Sequence, residues 1–220
     1  MGLTDTHHVR RIVLHPASPD IGYVAALAHL WGANTDLRDS SAAPASIGIV
    51  DAAGQQVASR QGPHVSGINR VVWNLRYDPL PPGPPDEESG GRSTSIPGPF
   101  VVPGEYTIRL STLGLTREQT LRVIEDPRIR IPAADRKACT GALLAIAETY
   151  RGAVSVLEEA NRRSRRGSND VRGAARELQS RLATLYRDMS QSTAKPTADQ
   201  HSQMQFFTTE LEGLRKRAAQ

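Results

Sequence analysis

The sequence predicts an α+β multidomain protein: a short N-terminal β-hairpin, a small antiparallel Ig-like β-sandwich, and an antiparallel three-helix bundle. Three observations lead to this prediction. Apolar and polar residues alternate in GINRVVWNLR (67–76) and PGEYTIRL (103–110), a period of two that is typical of strands. Beyond Pro132 the apolar period becomes about 3.6, which is typical of helices. The 220 residues leave room for one large domain or two small ones.

Residues 1–34 are predicted to form the hairpin. Two apolar runs, Val9–Leu14 and Tyr23–Leu27, flank a segment at 16–22 that is rich in Pro, Asp and Gly. Such a segment between two apolar runs indicates a turn joining two strands. Residues 35–46 are polar and alanine-rich, and we expect them to form a linker.

The predicted sandwich spans residues 47–129. Its first hairpin joins Ile47–Val50 to Val57–Ser59 through a turn in which Gly54 can adopt a positive φ. In the next strand Val71, Trp73 and Leu75 share one face, and Val72 indicates partial burial on both sides.

A long loop divides this sandwich. Residues 78–99 contain seven prolines and four glycines, so we expect a disordered surface loop. After it, Tyr106, Ile108 and Leu110 alternate inward along one strand, and the next strand returns through Leu121 and Val123.

Residues 130–220 are predicted to form the three-helix bundle. Three apolar stripes recur at helical spacing, and short breaks at 165–169 and 190–196 allow the chain to reverse. Thr197 and Gln200 form a capping-box pattern at the start of the third helix. The stripes are Leu143, Ala147, Tyr150, Val154 and Leu157; Val171, Ala175, Leu178, Leu182, Leu185 and Met189; and Gln200, Met204, Phe207, Leu211, Leu214 and Ala218.

Composition excludes several classes of site. The single cysteine, Cys139, excludes an internal disulfide and a multi-cysteine zinc site. No apolar run approaches the roughly 20 residues that a membrane span needs. The first residues lack the apolar core of a signal peptide, which favours the cytoplasm. The net charge of +4 arises in residues 130–220, which hold 16 Lys/Arg against 10 Asp/Glu.

Several motifs together resemble a known family. VRRIVLHPASPDIGYVAALAHLWG resembles the opening half of a blade in sortilin-like, BNR-repeat β-propellers, which are often labelled glycosyl hydrolases. The later motifs resemble the small sandwich that follows such a propeller: Ile49, Asp51 and Gly54; G-x-N-R-x-x-W-x-L-R; Gly98-Pro99 before Pro103-Gly104; and Asp126-Pro127-Arg128. The helical tail, with Pro196, Thr197 and Gln200, resembles the end of the same proteins.

The resemblance implies a C-terminal remnant of such a protein, because the chain has room for only half a blade and lacks the Asp-box pattern. It implies a propeller as a partner and an exported or periplasmic location, in contrast to the missing signal peptide. If the chain is part of an enzyme, the resemblance places the catalytic region of that glycosyl hydrolase-like protein elsewhere.

The candidate ligand site is Trp73 with Arg76, since an arginine beside a tryptophan can bind a sugar or a carboxylate. Alternatively, Trp73 is the core anchor of the sandwich. Arg162, Arg163, Arg165 and Arg166 form the candidate basic patch, which is either a solvated turn or an anion-binding surface.

We expect no catalytic residues and no cofactor. We also expect no metal site, because His7, His8, His15 and His29 lack the spacing of zinc ligands. The sequence therefore favours a non-catalytic accessory or interaction module with a protein partner. The alternatives are a carbohydrate-binding part of a glycosyl hydrolase, with a glycan as partner, and a basic helical nucleic-acid-binding module. Nucleic acid is disfavoured as a partner, because no aromatic lies between Tyr150 and Tyr186.

Overall fold

The computed structural model describes residues 8–16, 24–31, 45–62, 69–82, 95–112, 115–126, 128, 130–163 and 168–219. These ranges hold antiparallel strands followed by helices, which confirms the predicted α+β class. The strands are β1 (His8–Pro16), β2 (Val24–Trp31), β3 (Ala45–Asp51), β4 (Gln56–Gly62), β5 (Asn69–Trp73), β6 (Gly104–Thr112) and β7 (Leu115–Val123). The helices are α1 (Ala133–Arg163), α2 (Ser168–Ser190) and α3 (Ala198–Ala219).

Residue contacts divide the chain into two compact units. The strand unit comprises Met1–Asp78 and Phe100–Arg130, and the helical unit comprises Pro79–Pro99 and Ile131–Gln220. The segment 79–99 therefore belongs with the helices, although both of its neighbours in sequence belong to the strand unit.

The strand unit contains a four-stranded antiparallel sheet in the order β4-β3-β6-β7. Ile49 lies opposite Ile108, and Tyr106 lies opposite Leu121, so that the apolar residues of neighbouring strands share one face. That face forms one core, in which Trp73 and Leu75 also lie. The buried members are Ile47, Ile49, Val57, Ala58, Trp73, Leu75, Val101, Tyr106, Ile108, Leu121 and Val123.

A second antiparallel sheet has the order β1-β2-β5. β1 pairs with β2, and Ala26 of β2 lies opposite Trp73 of β5. β5, the strand that carries Trp73, is thus hydrogen-bonded to β2, which belongs to the segment predicted to form a separate hairpin. Of the predicted turn at 16–22, Pro16 is the last residue of β1 and residues 17–22 lie outside the described residues, as do residues 35–44 of the predicted linker.

β5 ends at Trp73, three residues before the predicted end at Arg76. Leu75 adopts a positive φ of 57°, which breaks the strand geometry while its side chain stays 2 % exposed. Val72 is 52 % exposed, so the prediction of partial burial on both sides is wrong. The reason is the strict alternation of the strand, which turns Val72 away from the core that Trp73 enters.

The three helices pack pairwise around one core. α1 begins directly after Pro132, and the predicted capping box is confirmed at the start of α3. The backbone N–H of Thr197 donates to Oε1 of Gln200 at 2.9 Å, and the N–H of Gln200 donates to Oγ1 of Thr197 at 3.2 Å. Among the described helices, none is both long and apolar enough to cross a bilayer.

The ends of the predicted disordered loop are ordered parts of the helical core. We call residues 79–82 and 95–99 the strap; residues 83–94 lie outside the described residues. Leu80 is 1 % exposed and Ile96 is 5 % exposed, and both belong to the apolar cluster formed by the helices. Their burial explains why a proline-rich segment holds a fixed course here, because it places two large apolar side chains out of water.

Hydrogen bonds also hold the strap to α2. Tyr186 donates its hydroxyl to the carbonyl of Pro97 at 2.9 Å, and Nε2 of Gln179 donates to the carbonyl of Pro82 at 3.4 Å. Within the strap, the N–H of Leu80 donates to the carbonyl of Ile96 at 2.9 Å. A proline has no N–H to donate, but its carbonyl still accepts hydrogen bonds. Polar side chains of α2 therefore donate to the proline carbonyls of the strap.

Candidate interaction site

Trp73 is a core residue of the strand unit. Its side chain is 4 % exposed, and its indole Nε1 donates to the backbone carbonyl of Arg76 at 2.8 Å. Its ring meets the Tyr106 ring edge to face, with centroids 5.6 Å apart and planes at 64°. The faces of the indole are therefore covered by protein, and this tryptophan offers no surface on which a sugar ring could stack.

The side chain of Arg76 lies on a different aromatic ring. Its guanidinium sits over the ring of Phe100, 3.5 Å from the centroid, and the two residues also form an antiparallel bridge. The predicted Trp73–Arg76 pair is linked through the backbone carbonyl of Arg76. The structure thus does not bring these two side chains together as a binding surface.

The described half of the basic patch is an ion-pair network. Arg162 and Arg163 on the last turn of α1 contact the two carboxylate oxygens of Glu159, at 2.6 Å and 2.7 Å. Hydrogen bonds from Arg162, then from Arg163, lower the pKa of Glu159 below its ordinary value. Arg163 also donates to the backbone carbonyl of Ala218 on α3. Arg165 and Arg166 lie outside the described residues.

Cys139 lies inside the helical unit. It is 5 % exposed, its Sγ lies 3.4 Å from the carbonyl of Ser192, and burial raises the pKa of its thiol. A buried thiol with a raised pKa is a poor nucleophile. In the part of the chain that the structure describes, no three His, Cys, Asp or Glu side chains converge as a metal site.

An open groove between α2 and α3 is the candidate site. Its volume is about 660 Å³, within the range of ligand and peptide sites. The lining residues are Ser180, Arg181, Thr184, Leu185 and Asp188 of α2 with Ser202, Gln203, Phe206 and Phe207 of α3. Four of these, Arg181, Thr184, Leu185 and Asp188, recur at helical spacing, and we call them the groove stripe.

Phe206 is the exposed aromatic of this groove. It is 57 % exposed, whereas its neighbour Phe207 is 6 % exposed and belongs to the helical core. Consecutive residues point about 100° apart on a helix, so only one of the two phenylalanines can enter the core. The exposed ring of Phe206 therefore stands at the groove, beside its apolar floor.

Arg181 holds this aromatic end of the groove in place. Its guanidinium carbon lies 4.8 Å from the Phe207 ring centroid and 5.4 Å from that of Phe206. Nη1 of Arg181 also contacts the Glu210 carboxylate, at 3.2 Å from one of its oxygens. The rings and the guanidinium are thus fixed by one another, which gives the groove an ordered wall.

Sequence reasoning placed Leu185 and Phe207 in apolar stripes but did not predict the groove or its polar and exposed residues. The signal was present for Phe206, because the third apolar stripe uses Phe207 and leaves the adjacent phenylalanine outside it. No such signal marks Arg181 or Asp188, since charged residues on the outer faces of helices are common.

Comparison with known proteins adds no relative: no family model, no curated protein and no solved structure matches the chain.

Proposed function

We propose that this protein is a non-catalytic interaction module whose binding surface is the groove between α2 and α3. The observation that carries the proposal is Phe206, an exposed aromatic that stands on an ordered wall of Arg181 and Phe207. Aromatic and arginine side chains are the groups most enriched at the centres of protein interfaces. A ring that is already held in position loses little entropy when a partner covers it.

The groove also has the shape that protein partners use. It runs between two packed helices, and it combines an apolar floor at Leu185 and Phe207 with hydroxyls and charges along its rim. An amphipathic helix fills such a groove by placing apolar residues on the floor and polar residues at the rim. A protein helix is therefore the class of occupant that this geometry favours.

The family origin belongs to the same proposal. In it, the chain is the C-terminal remnant of a sortilin-like, BNR-repeat protein, with an Ig-like sandwich and an antiparallel three-helix bundle. The antiparallel pairing of β1 with β2 supports it, because half a blade is a hairpin. Trp73 of β5, a strand of the second sheet, shares a buried core with residues of the β4-β3-β6-β7 sheet, and this supports the sandwich.

Site-specific photo-crosslinking in the native host tests the proposed function. A photoreactive phenylalanine replaces Phe206 in one variant and Val72, which is 52 % exposed in the strand unit, in the control. We expect a discrete adduct, identified by mass spectrometry, at position 206 and not at 72. We also expect Thr184→Trp, which fills the groove, to remove that adduct.

Absence of an adduct at position 206, or equal adducts at both positions, would contradict the proposal. An adduct that survives Thr184→Trp would also contradict it, since the crosslinked partner would then lie outside the groove. Circular dichroism of each variant establishes that the helices are retained.

A further inference from the structure

We propose that the helix that covers the groove is α2 of a second copy of this chain, in a two-fold symmetric dimer. This inference rests on the proposed function and names the partner. The observation behind it is the arrangement of charge along the groove stripe, in which Arg181 and Asp188 stand at opposite ends.

The charge pattern is self-complementary. Arg181 and Asp188 are seven residues apart on α2, which is about 10 Å along the helix. Consider a second α2 laid antiparallel on the first, with the two-fold axis between Thr184 and Leu185. Arg181 then lies opposite Asp188 of the partner subunit, and Asp188 lies opposite Arg181 of the partner subunit. A two-fold interface has this reciprocal form, in which residue i meets j and j meets i.

Both charged groups are able to make the contact. The carboxylate of Asp188 is on an exposed residue at the rim of the groove. Arg181 contacts Glu210 through Nη1, and a guanidinium carries five N–H donors, so it can hold a second carboxylate. The next acidic residue along α2, Glu177, falls past the end of α2 of the partner subunit in this register, because α2 ends at Ser190, so it faces no like charge on that helix.

The surface between the charges suits close approach. Thr184 lies between the two charges and Ser180 lies one turn before it, next to Arg181; both are exposed and small on the face that the second copy would meet. Phe206 lies beside this face and would lose its exposure to water on assembly.

This pattern favours a second copy over an unrelated protein. A partner of different sequence needs a cation and an anion at a matching separation and in the opposite order. A second copy supplies both by symmetry, because the stripe carries its own complement.

Sedimentation velocity of the full chain between 1 and 200 µM, at low and high salt, tests the dimer. We expect the unchanged protein to show a concentration-dependent dimer. Arg181→Glu and Asp188→Arg should each weaken dimerisation about tenfold or more, because each places like charges opposite one another. An equimolar mixture of the two variants should recover the dimer as a heterodimer, since every facing pair is again of opposite sign.

The charge swap within one chain, Arg181→Glu with Asp188→Arg, should also restore self-association. Arg181→Glu places a carboxylate beside Glu210, so circular dichroism and the melting curve establish that this variant is folded. Should Arg181→Glu fail to fold, Asp188→Arg decides alone, because it should still weaken the dimer. Asp188→Asn then takes the place of the mixing experiment, and we expect it to weaken the dimer to an intermediate extent.

A chain that stays monomeric throughout this range would overturn the inference, as would a dimer indifferent to Asp188→Arg. If such a chain still forms an adduct with another protein through position 206, the proposed function stands and only the choice of partner is wrong. If no adduct forms, both fail.

Discussion

Gly152 of α1 lies directly against Leu211 of α3. A Cβ placed on Gly152 would stand 2.6 Å from Cδ2 of Leu211 and 2.8 Å from a guanidinium nitrogen of Arg215. Leu211 is 4 % exposed, so its side chain has little space into which it can move. The two helices therefore approach closely at this point because α1 has no side chain there.

Gly152→Ala is expected to destabilise the helical unit by about 1–3 kcal/mol, the usual cost of overpacking a core. Gly173→Ala on α2 is the matched control, because nothing lies within 4 Å of its added Cβ. The control should gain about 0.5–1 kcal/mol from the higher helix propensity of alanine. Urea unfolding followed by circular dichroism at the helical band measures both, and effects of the same sign would contradict the close-approach argument.

Leu80→Ala is expected to destabilise the helices by about 2–5 kcal/mol, although the residue precedes α1 by some fifty positions. Opening of the helical unit can be followed by alkylation of Cys139, whose burial and raised pKa protect it in the folded state. We expect alkylation to accelerate about tenfold or more. Val72→Thr, at an exposed position of the strand unit, should leave the alkylation rate unchanged. An unchanged rate in Leu80→Ala would show that the strap does not stabilise the helices.

Trp73→Phe is expected to destabilise the strand unit by about 1–3 kcal/mol, because it removes the donor to the partly buried carbonyl of Arg76. Hydrogen exchange of the β6 amides measures the change, and Val72→Thr on the neighbouring residue should alter it by less than about 0.5 kcal/mol. Equal effects would mean that the indole hydrogen bond contributes nothing to this core.

Asp126 is expected to make the strand unit sensitive to acid. Hydrogen bonds from Arg128, with Nη2 at 2.6 Å from Oδ2, lower the pKa of Asp126 to about 2. A carboxyl whose pKa is lower in the folded state stabilises that state above its unfolded pKa, near 4, and loses the contribution as the pH falls toward 2.

Asp126→Asn should therefore lower the melting temperature at pH 6, and the difference from the unchanged protein should vanish near pH 2. Arg128→Gln removes the partner and should give a loss with the same pH dependence. A difference that persists at pH 2 would point to packing as the cause, and the ion pair would then be immaterial.

The strands and helices were predictable because each buries one face. Alternation of Tyr106 and Ile108 marks β6, and the spacing of Leu178 and Leu182 marks α2; both residue pairs are buried in the structure. The strap was not predictable in this way. Proline and glycine indicate irregular backbone. Nothing in the local pattern indicates that Leu80 and Ile96 enter a core formed by helices far along the chain.

Some features of the residues considered as sites were predictable from the sequence, and others were not. Burial of Trp73 follows from strand alternation, so its role as an anchor could be read from the sequence. The hydrogen bond that ties its indole to the Arg76 carbonyl depends on the left-handed turn at Leu75, which no local pattern indicates. The groove is formed by two separate helices, and its lining becomes visible only when they are packed.

The strap also constrains how this protein is made. Tyr186 follows Pro97 by 89 residues. At a translation rate of about 5–20 residues per second, roughly 4–18 s pass between synthesis of the strap and synthesis of the part of α2 that binds it. During that interval Leu80 and Ile96 are apolar groups without a core. Nascent chains that stall before α2 would thus be targets for chaperones. Translation of α2 and α3 completes the helical core and releases the strap from the chaperones.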